Sequence, residues 1–283
     1  MMLRRDFLTA TGAMAAGALL GSRHAGAKTG LALRTIAYNV YACKGWPERK
    51  GNRARLAIAQ PQIHERIAME LAMYRPNLVT LSEAPKEAIV ARIAHRLQMK
   101  HVYFKGGFSG ALLTHLPIRE SENLSLASCD VDAREPFTRH LGCAVLDTPA
   151  GPLSVYSAHL NPHHEDVRLR EIAAILGAIA PDRKAHRAVL LQGDLNHRPN
   201  TPEYAKWIEA GMTDAFALKG TGIEGTVTSI RPKARIDYVW MDGPLTGRLT
   251  ETRTLFEGAF RVNPDDPASF ALSDHLPVMA NFA

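Results

Sequence analysis

With 283 residues, a formal net charge of +6 and only three cysteines (Cys43, Cys129 and Cys143), the chain is long enough to bury one large core, and its thiols are too scattered for a zinc motif. No linker, low-complexity tract or repeat at solenoid spacing interrupts it, which excludes array architectures. The positive balance suits an anionic partner but is common among soluble proteins, so it decides nothing by itself.

Residues 1–27 read as a targeting segment rather than as fold. Paired Arg4 and Arg5 precede a short, glycine-interrupted apolar stretch, and Ala25-Gly26-Ala27 supplies a small-residue cleavage site. This is the layout of a twin-arginine secretory signal, and the apolar stretch is too short for a comfortable spanning helix. The expectation is a periplasmic or secreted protein: a single monomeric domain over 28–283, with no stable membrane insertion after the signal is cleaved. Export permits a disulfide, but three thiols leave at least one unpaired, and small buried side chains are the expected role.

Beyond residue 28, short apolar runs alternate with helical patterns. The strand-like runs are 33–39, 77–83, 110–118, 141–147, 153–161, 188–196, 235–241 and 275–282. Amphipathic stretches lie at 53–74, where Leu56, Ile63, Ile67, Leu71 and Tyr74 fall near helical spacing, and at 86–98 and 164–179. Helices thin out toward the C-terminus, so the expected class is α/β with mixed sheets.

Run after run ends in a group that binds metals or handles protons: Asn39, Glu83, His159 with Asn161, and Asp194 with Asn196. Asp237 stands early in its strand, and Ser273-Asp274-His275 opens the last one. Alternation along a strand puts Asp194 and Asn196 on one face and Leu195 on the other. Taken alone, such a pair reads as a turn. Six polar tips of these residue types, brought to one sheet edge, would make a single acidic, histidine-containing basin.

In order, "YNV", "LSEA", "SGALLTHLPI", "SAHLN", "GDLN", "RIDYVW" and "SDHLPV" resemble the motifs of the endonuclease/exonuclease/phosphatase superfamily with the DNase I-like fold. Each motif is short; the ordered set is specific. The resemblance implies a four-layer α/β sandwich, two mixed β-sheets flanked by helices, with the site at one edge. It implies a divalent-metal-dependent phosphoester hydrolase using Mg²⁺, or Mn²⁺ or another divalent cation, whose hard oxygen ligands match these residues. By resemblance, Asn39, Glu83 and Asp274 are metal ligands. Asp194 activates the attacking water and Asn196 holds it. His275 contacts the scissile phosphate, oriented by Asp237, and His159 stands near the leaving oxygen as a general acid. Asn161 and Arg139 are candidate substrate contacts.

Fold membership gives a reaction class, not a substrate. Residues 41–55, with Trp46, Lys44, Arg49, Lys50, Arg53 and Arg55, make a basic loop that reads either as a contact for a phosphodiester backbone or as a hydrated surface. The leading expectation is a phosphodiesterase or nuclease whose partner is a phosphoester, nucleic acid included. The alternatives are a hydrolase of a small phosphorylated metabolite or lipid headgroup, and a non-catalytic binding protein of the same fold. No serine-nucleophile elbow or phosphate-cradling glycine loop is present, and "KGGFSGA" (105–111) fits a turn between strands.

Overall fold

The computed structural model describes residues 32–125 and 137–283. Residues 1–27, expected to be a targeting segment, and Cys129 lie outside them. In chain order the first strands are β1 (Leu33–Asn39), β2 (Leu78–Ser82), β3 (Lys100–Phe104), β4 (Gly110–Thr114), β5 (Ile118–Asn123), β6 (His140–Thr148) and β7 (Gly151–His159). They continue as β8 (Ala188–Asp194), β9 (Thr213–Asp214), β10 (Gly220–Thr221), β11 (Asp237–Asp242), β12 (Leu249–Thr254) and β13 (Val278–Phe282). The helices are α1 (Arg53–Ala59), α2 (Ile63–Met73), α3 (Glu87–Arg96), α4 (Glu165–Lys184), α5 (Pro202–Glu209) and α6 (Ala215–Lys219).

Two mixed sheets result, one ordered β10-β12-β13-β1-β2-β4-β3 and the other β5-β6-β7-β8-β11-β9. Strand alternation explains their stacking. Ile36 and Tyr38 face outward into a core shared with Ile63, Ile67 and Leu71 of α2 and Val90 and Ile93 of α3. Leu33 and Ala37 of the same strand face inward, against Val155, Leu190, Val239 and Met241 of the second sheet. On that sheet's outer face Tyr156, Leu191 and Trp240 pack on Ile172, Ile175 and Ile179 of α4 and Trp207 of α5. Three apolar layers between four structural layers confirm the expected helix-flanked sandwich.

Two expected elements divide. The run 110–118 is not one strand: β4 belongs to the seven-stranded sheet and β5 to the other. The crossing falls at Pro117, which has no N–H for a ladder. Thr114 marks the exit, its Oγ1 donating to Asn77 O (2.9 Å) and accepting from Leu116 N (3.0 Å). The amphipathic stretch 53–74 breaks into α1 and α2 through a 3₁₀ turn at Gln60–Gln62, where Pro61 interrupts the α-helical bonding. Cys43 is buried and Cys143 half-buried, both free, and burial pushes each thiol up to about 12. No helix among the described residues is long and apolar enough to cross a membrane.

Candidate active site

The inward faces of the two sheets change character along their length. Below lies the apolar core. Next comes a buried polar rung, where Thr35 Oγ1 donates to Gln192 Oε1 (2.7 Å) and Gln192 Nε2 donates to Thr80 Oγ1 (2.9 Å), joining the sheets. The third rung, at the strand tips, is ionisable. Strand register lays His140 beside His159, His159 beside Asp194, and Asp194 beside Asp237. Across the gap, Asn39 lies beside Ser82, one residue before Glu83. Side chains two apart share a face, so a strand that is apolar at its base carries its chemistry to the tip on that same face.

Asp194 is the hub. Its Oδ2 accepts from Asn39 Nδ2 (3.0 Å) and faces His159 Nε2 at 3.3 Å and His275 Nε2 at 3.7 Å. Its Oδ1 accepts from the backbone N–H of Asn196 (3.1 Å). His275 Nδ1 meets Asp237 Oδ2 at 2.8 Å, which fixes that nitrogen as the donor. Asn39 Nδ2 also reaches Glu83 Oε1 at 3.4 Å, and Arg139 Nη1 closes on the same oxygen at 3.3 Å.

Burial and charge set the protonation states. Burial raises Asp194, reinforced by Asp237, to about 7. Burial alone would lower His275, but Asp237 and Asp194 outweigh it and hold the ring up at about 10, as a cation. Burial drives His159 well below the ordinary histidine value, helped by the positive charge of Arg139, so it is neutral.

The remaining sequence candidates separate by contact. Asn196 stands at φ 53° and donates through Nδ2 to Leu160 O (2.9 Å), while Leu195 is fully buried in the outer core, opposite the site. The turn and the proton-handling group are thus one structure: the turn aims the carboxylate. Asn161 turns away, its Oδ1 accepting from the N–H groups of His163 and His164 (2.9 Å each) at the start of α4. Asp274 is half-buried, accepts from Ser273 Oγ (3.2 Å) and adds to the field that keeps His275 charged. In the loop after β1, Arg53 pairs with Glu48 (2.8 Å) and Arg55 with Asp266 (3.5 Å), and Trp46 bridges to Ala271. Two of the five basic side chains of 41–55 are therefore matched by a carboxylate.

Several residues near the site escape a sequence reading. Glu171 of α4 is fully buried and accepts from the backbone N–H groups of Asn161 (2.8 Å) and Thr138 (3.3 Å), fixing the segments that carry His159 and Arg139. Its only sequence signal is an acid beside Ile172 on the apolar face of a helix. Non-glycine residues at positive φ also gather here: Tyr41, Ala42, Cys43, Glu83 and Asn196. Such strain persists where surrounding contacts over-determine it. Ala42 N–H binds Glu83 O (2.9 Å) and Tyr41 N–H binds Asn39 Oδ1 (3.0 Å).

His197, in the loop after β8, is structural. It stacks on Tyr238 with centroids 4.7 Å apart, and its Nε2 accepts from Trp207 Nε1 (3.1 Å). Burial lowers it to about 4. The folded ring therefore refuses a proton that the unfolded chain accepts below about pH 6.5, so its stabilisation is present above that pH and is lost as pH falls toward 4. His197→Gln is expected to destabilise the protein at pH 7. That deficit should shrink by about 3 kcal/mol by pH 4, as read from urea unfolding at each pH.

The donor chemistry fits a divalent cation. Four carboxyl groups, Glu83, Asp194, Asp237 and Asp274, gather around two cationic groups, Arg139 and His275, so acids outnumber cations at the site. Asp237 Oδ1 is buried without a hydrogen-bond partner among the described residues. Asp194, Asp237 and His275 bring ligand atoms within 4.8 Å of one another. Yet Asp237 already holds His275, whereas the Glu83 side chain is 18% exposed and the Asp194 side chain only 3%. Glu83 is the better fit to an ion that keeps part of its water shell. Asn39 turns its oxygen to Tyr41 and its nitrogen to both acids, so it spaces Glu83 from Asp194.

A family model described as "Endonuclease/Exonuclease/phosphatase family" matches residues 36–275. Among solved structures, an endonuclease/exonuclease/phosphatase from Bacteroides vulgatus superposes with a TM-score of 0.68 at 15% identity, covering 89% of this chain and 98% of that one. A mannosyl-6-phosphatase from Bacteroides thetaiotaomicron gives 0.66 at 16% identity, with 89% and 99% covered. TDP2 from D. rerio, complexed with a single-strand DNA product, gives 0.63 at 18% identity, with 89% and 99% covered. At such identities the likeness establishes the fold. No curated protein sequence matches.

Proposed function

The chain belongs to the endonuclease/exonuclease/phosphatase family, and from that premise we propose that it is a divalent-metal-dependent phosphoester hydrolase. Phosphodiesters, nucleic acid among them, are the proposed substrate class. One observation carries the reading: the buried Asp194 carboxylate stands 3.3 Å from His159 Nε2 and 3.7 Å from His275 Nε2, the second ring held from behind by Asp237 at 2.8 Å. This pairing of a base with a held positive charge is what water attack on an anionic ester needs.

In this reading Asp194 takes the proton of the attacking water, and the Asn196 N–H fixes the carboxylate plane. His275, its Nδ1–H held by Asp237, directs Nε2–H and its charge at the phosphoryl oxygens as negative charge builds there. As the water oxygen bonds to phosphorus the ester P–O bond breaks and the leaving oxygen takes a proton from solvent water; His159, neutral, contributes a hydrogen bond from Nε2 rather than a stored proton. Arg139 pins a phosphate oxygen while paired to Glu83. Glu83 would hold Mg²⁺, with Asn39 beside it and Asp274 behind His275. The ion, when bound, supplies Lewis-acid polarisation of the phosphoryl group. The targeting segment is proposed to send the domain out of the cytoplasm, where it works as a monomer.

The test is a substrate panel with Mg²⁺: plasmid DNA, single-stranded DNA, RNA, bis-p-nitrophenyl phosphate and p-nitrophenyl phosphate. Turnover of the diesters above the monoester is expected. Preference for the monoester would move the substrate toward that of the mannosyl-6-phosphatase relative, and no turnover of any phosphoester would remove the hydrolase reading.

A further inference from the structure

Next to the site stands an aromatic ring that the chemistry above does not use. Phe108 lies in the turn between β3 and β4 and is 46% exposed. The turn is anchored at three points. Asn123 Nδ2 donates to Lys105 O (2.9 Å), His140 Nδ1 donates to Phe108 O (3.2 Å), and Ala84 N–H, next to Glu83, donates to Ser109 O (2.8 Å). Since the Phe108 carbonyl can only accept, His140 carries its proton on Nδ1 and accepts at Nε2 from Ser157 Oγ (3.2 Å).

The two residues before Phe108 are glycines for a steric reason. A Cβ on Gly106 would overlap the carbonyl oxygen of Arg139, and one on Gly107 that of Thr138. The turn thus lies directly on the segment that carries Arg139 and has no side chain there to cover the ring. The ring is placed by its neighbours. The Arg139 guanidinium lies 3.9 Å from its centroid, and the His159 ring 6.3 Å away at an interplanar angle of 59°. Arg139 in turn reaches Glu83.

We propose that Phe108 is a specificity-determining contact. It offers a fixed aromatic surface to a flat ring carried on the phosphoester, of the kind a nucleobase presents, while the stacked Arg139 engages the phosphate. An exposed aromatic beside a phosphate-binding cation is how sequence-tolerant contacts to single-stranded nucleic acid are made. The proposal rests on the site being a phosphoester site, and it narrows the substrate to esters of ring-bearing alcohols, nucleotides foremost.

The test is a binding measurement, so it stands apart from turnover. Calorimetric dissociation constants are taken in Mg²⁺ buffer for thymidine 5′-monophosphate, thymidine 3′-monophosphate and methyl phosphate. The proteins are the wild type, Phe108→Ala and Phe108→Leu. Wild type should bind at least one nucleotide more tightly than methyl phosphate. Phe108→Ala should weaken that nucleotide about tenfold, the size of one base–aromatic stack, and change methyl phosphate less than about twofold. Phe108→Leu should fall between. Equal weakening of nucleotide and methyl phosphate would mean that Phe108 only seats Arg139, and would overturn the proposal. So would a wild type with no preference for the nucleotides, or a Phe108→Ala protein that keeps that preference. Failure of the substrate panel with the nucleotide preference intact would instead fault the hydrolase reading alone.

Discussion

Asp194→Asn is expected to lower phosphodiester turnover by about 10³-fold or more while the protein stays folded, because it removes the proposed base and leaves the surrounding strands in place. The residue sits at the centre of the hydrogen-bond web, taking contacts from Asn39, His159 and Asn196 and facing His275. His275→Ala should cost a similar factor through loss of the cation that Asp237 and Asp194 maintain. The two losses should not add, since base and cation serve one step; the double variant is expected to fall little below the worse single one. Steady-state rates on bis-p-nitrophenyl phosphate, with circular dichroism on each variant, check this. Unchanged rates in either single variant would remove that residue from the chemistry.

Gly193→Ala should be the most damaging small substitution in the second sheet. Gly193 lies at φ 145°, where an L side chain is strained, and a Cβ there would overlap the carbonyl oxygen of Ala158 on the neighbouring strand. Neither atom belongs to a flexible side-chain end, so β7 and β8 must part. A cost of about 3 kcal/mol is expected, combining overpacking with a forbidden backbone region. For a domain of this size that lowers the melting temperature by roughly 6–12 °C. Activity should fall even well below the melting point, because the same ladder sets His159 beside Asp194. A melting temperature within a degree of wild type would show that the strands absorb the methyl group without strain.

Most of the architecture was legible because apolar strands and amphipathic helices declare their periods. β1, β2, β6, β7, β8 and β11 lie within about two residues of their expected bounds. β3, β12 and the two-residue strands β9 and β10 gave no such signal. β3 is a half-buried edge strand paired only to β4, and β12 turns Thr252 and Thr254 inward where a reader looks for Leu or Val. Helix α5 begins on Thr201-Pro202, a good start signal, with Thr201 Oγ1 accepting from Tyr204 N. It was hidden by the loop that precedes it.

At the site, the ordered tips Asn39, Glu83, His159, Asp194, Asp237 and His275 could be picked out as residue types, and the sheets bring them together. Asn161 was legible as a polar tip too, but local geometry ties its side chain to the turn that starts α4. Contacts made across the sandwich left no local trace. Glu171 reaching back from a helix, His140 holding a carbonyl, and Phe108 beneath Arg139 depend on which strands become neighbours. No spacing rule encodes that.

The most direct test compares the wild type with Glu83→Gln for hydrolysis of bis-p-nitrophenyl phosphate over a Mg²⁺ titration. A chelator-treated wild-type sample serves as the baseline. The expected result is saturable, Mg²⁺-dependent turnover in the wild type, abolished by the chelator and reduced at least about 10²-fold in Glu83→Gln. Equal turnover by both proteins, insensitive to the chelator, would contradict a metal-assisted hydrolytic site at this sheet edge.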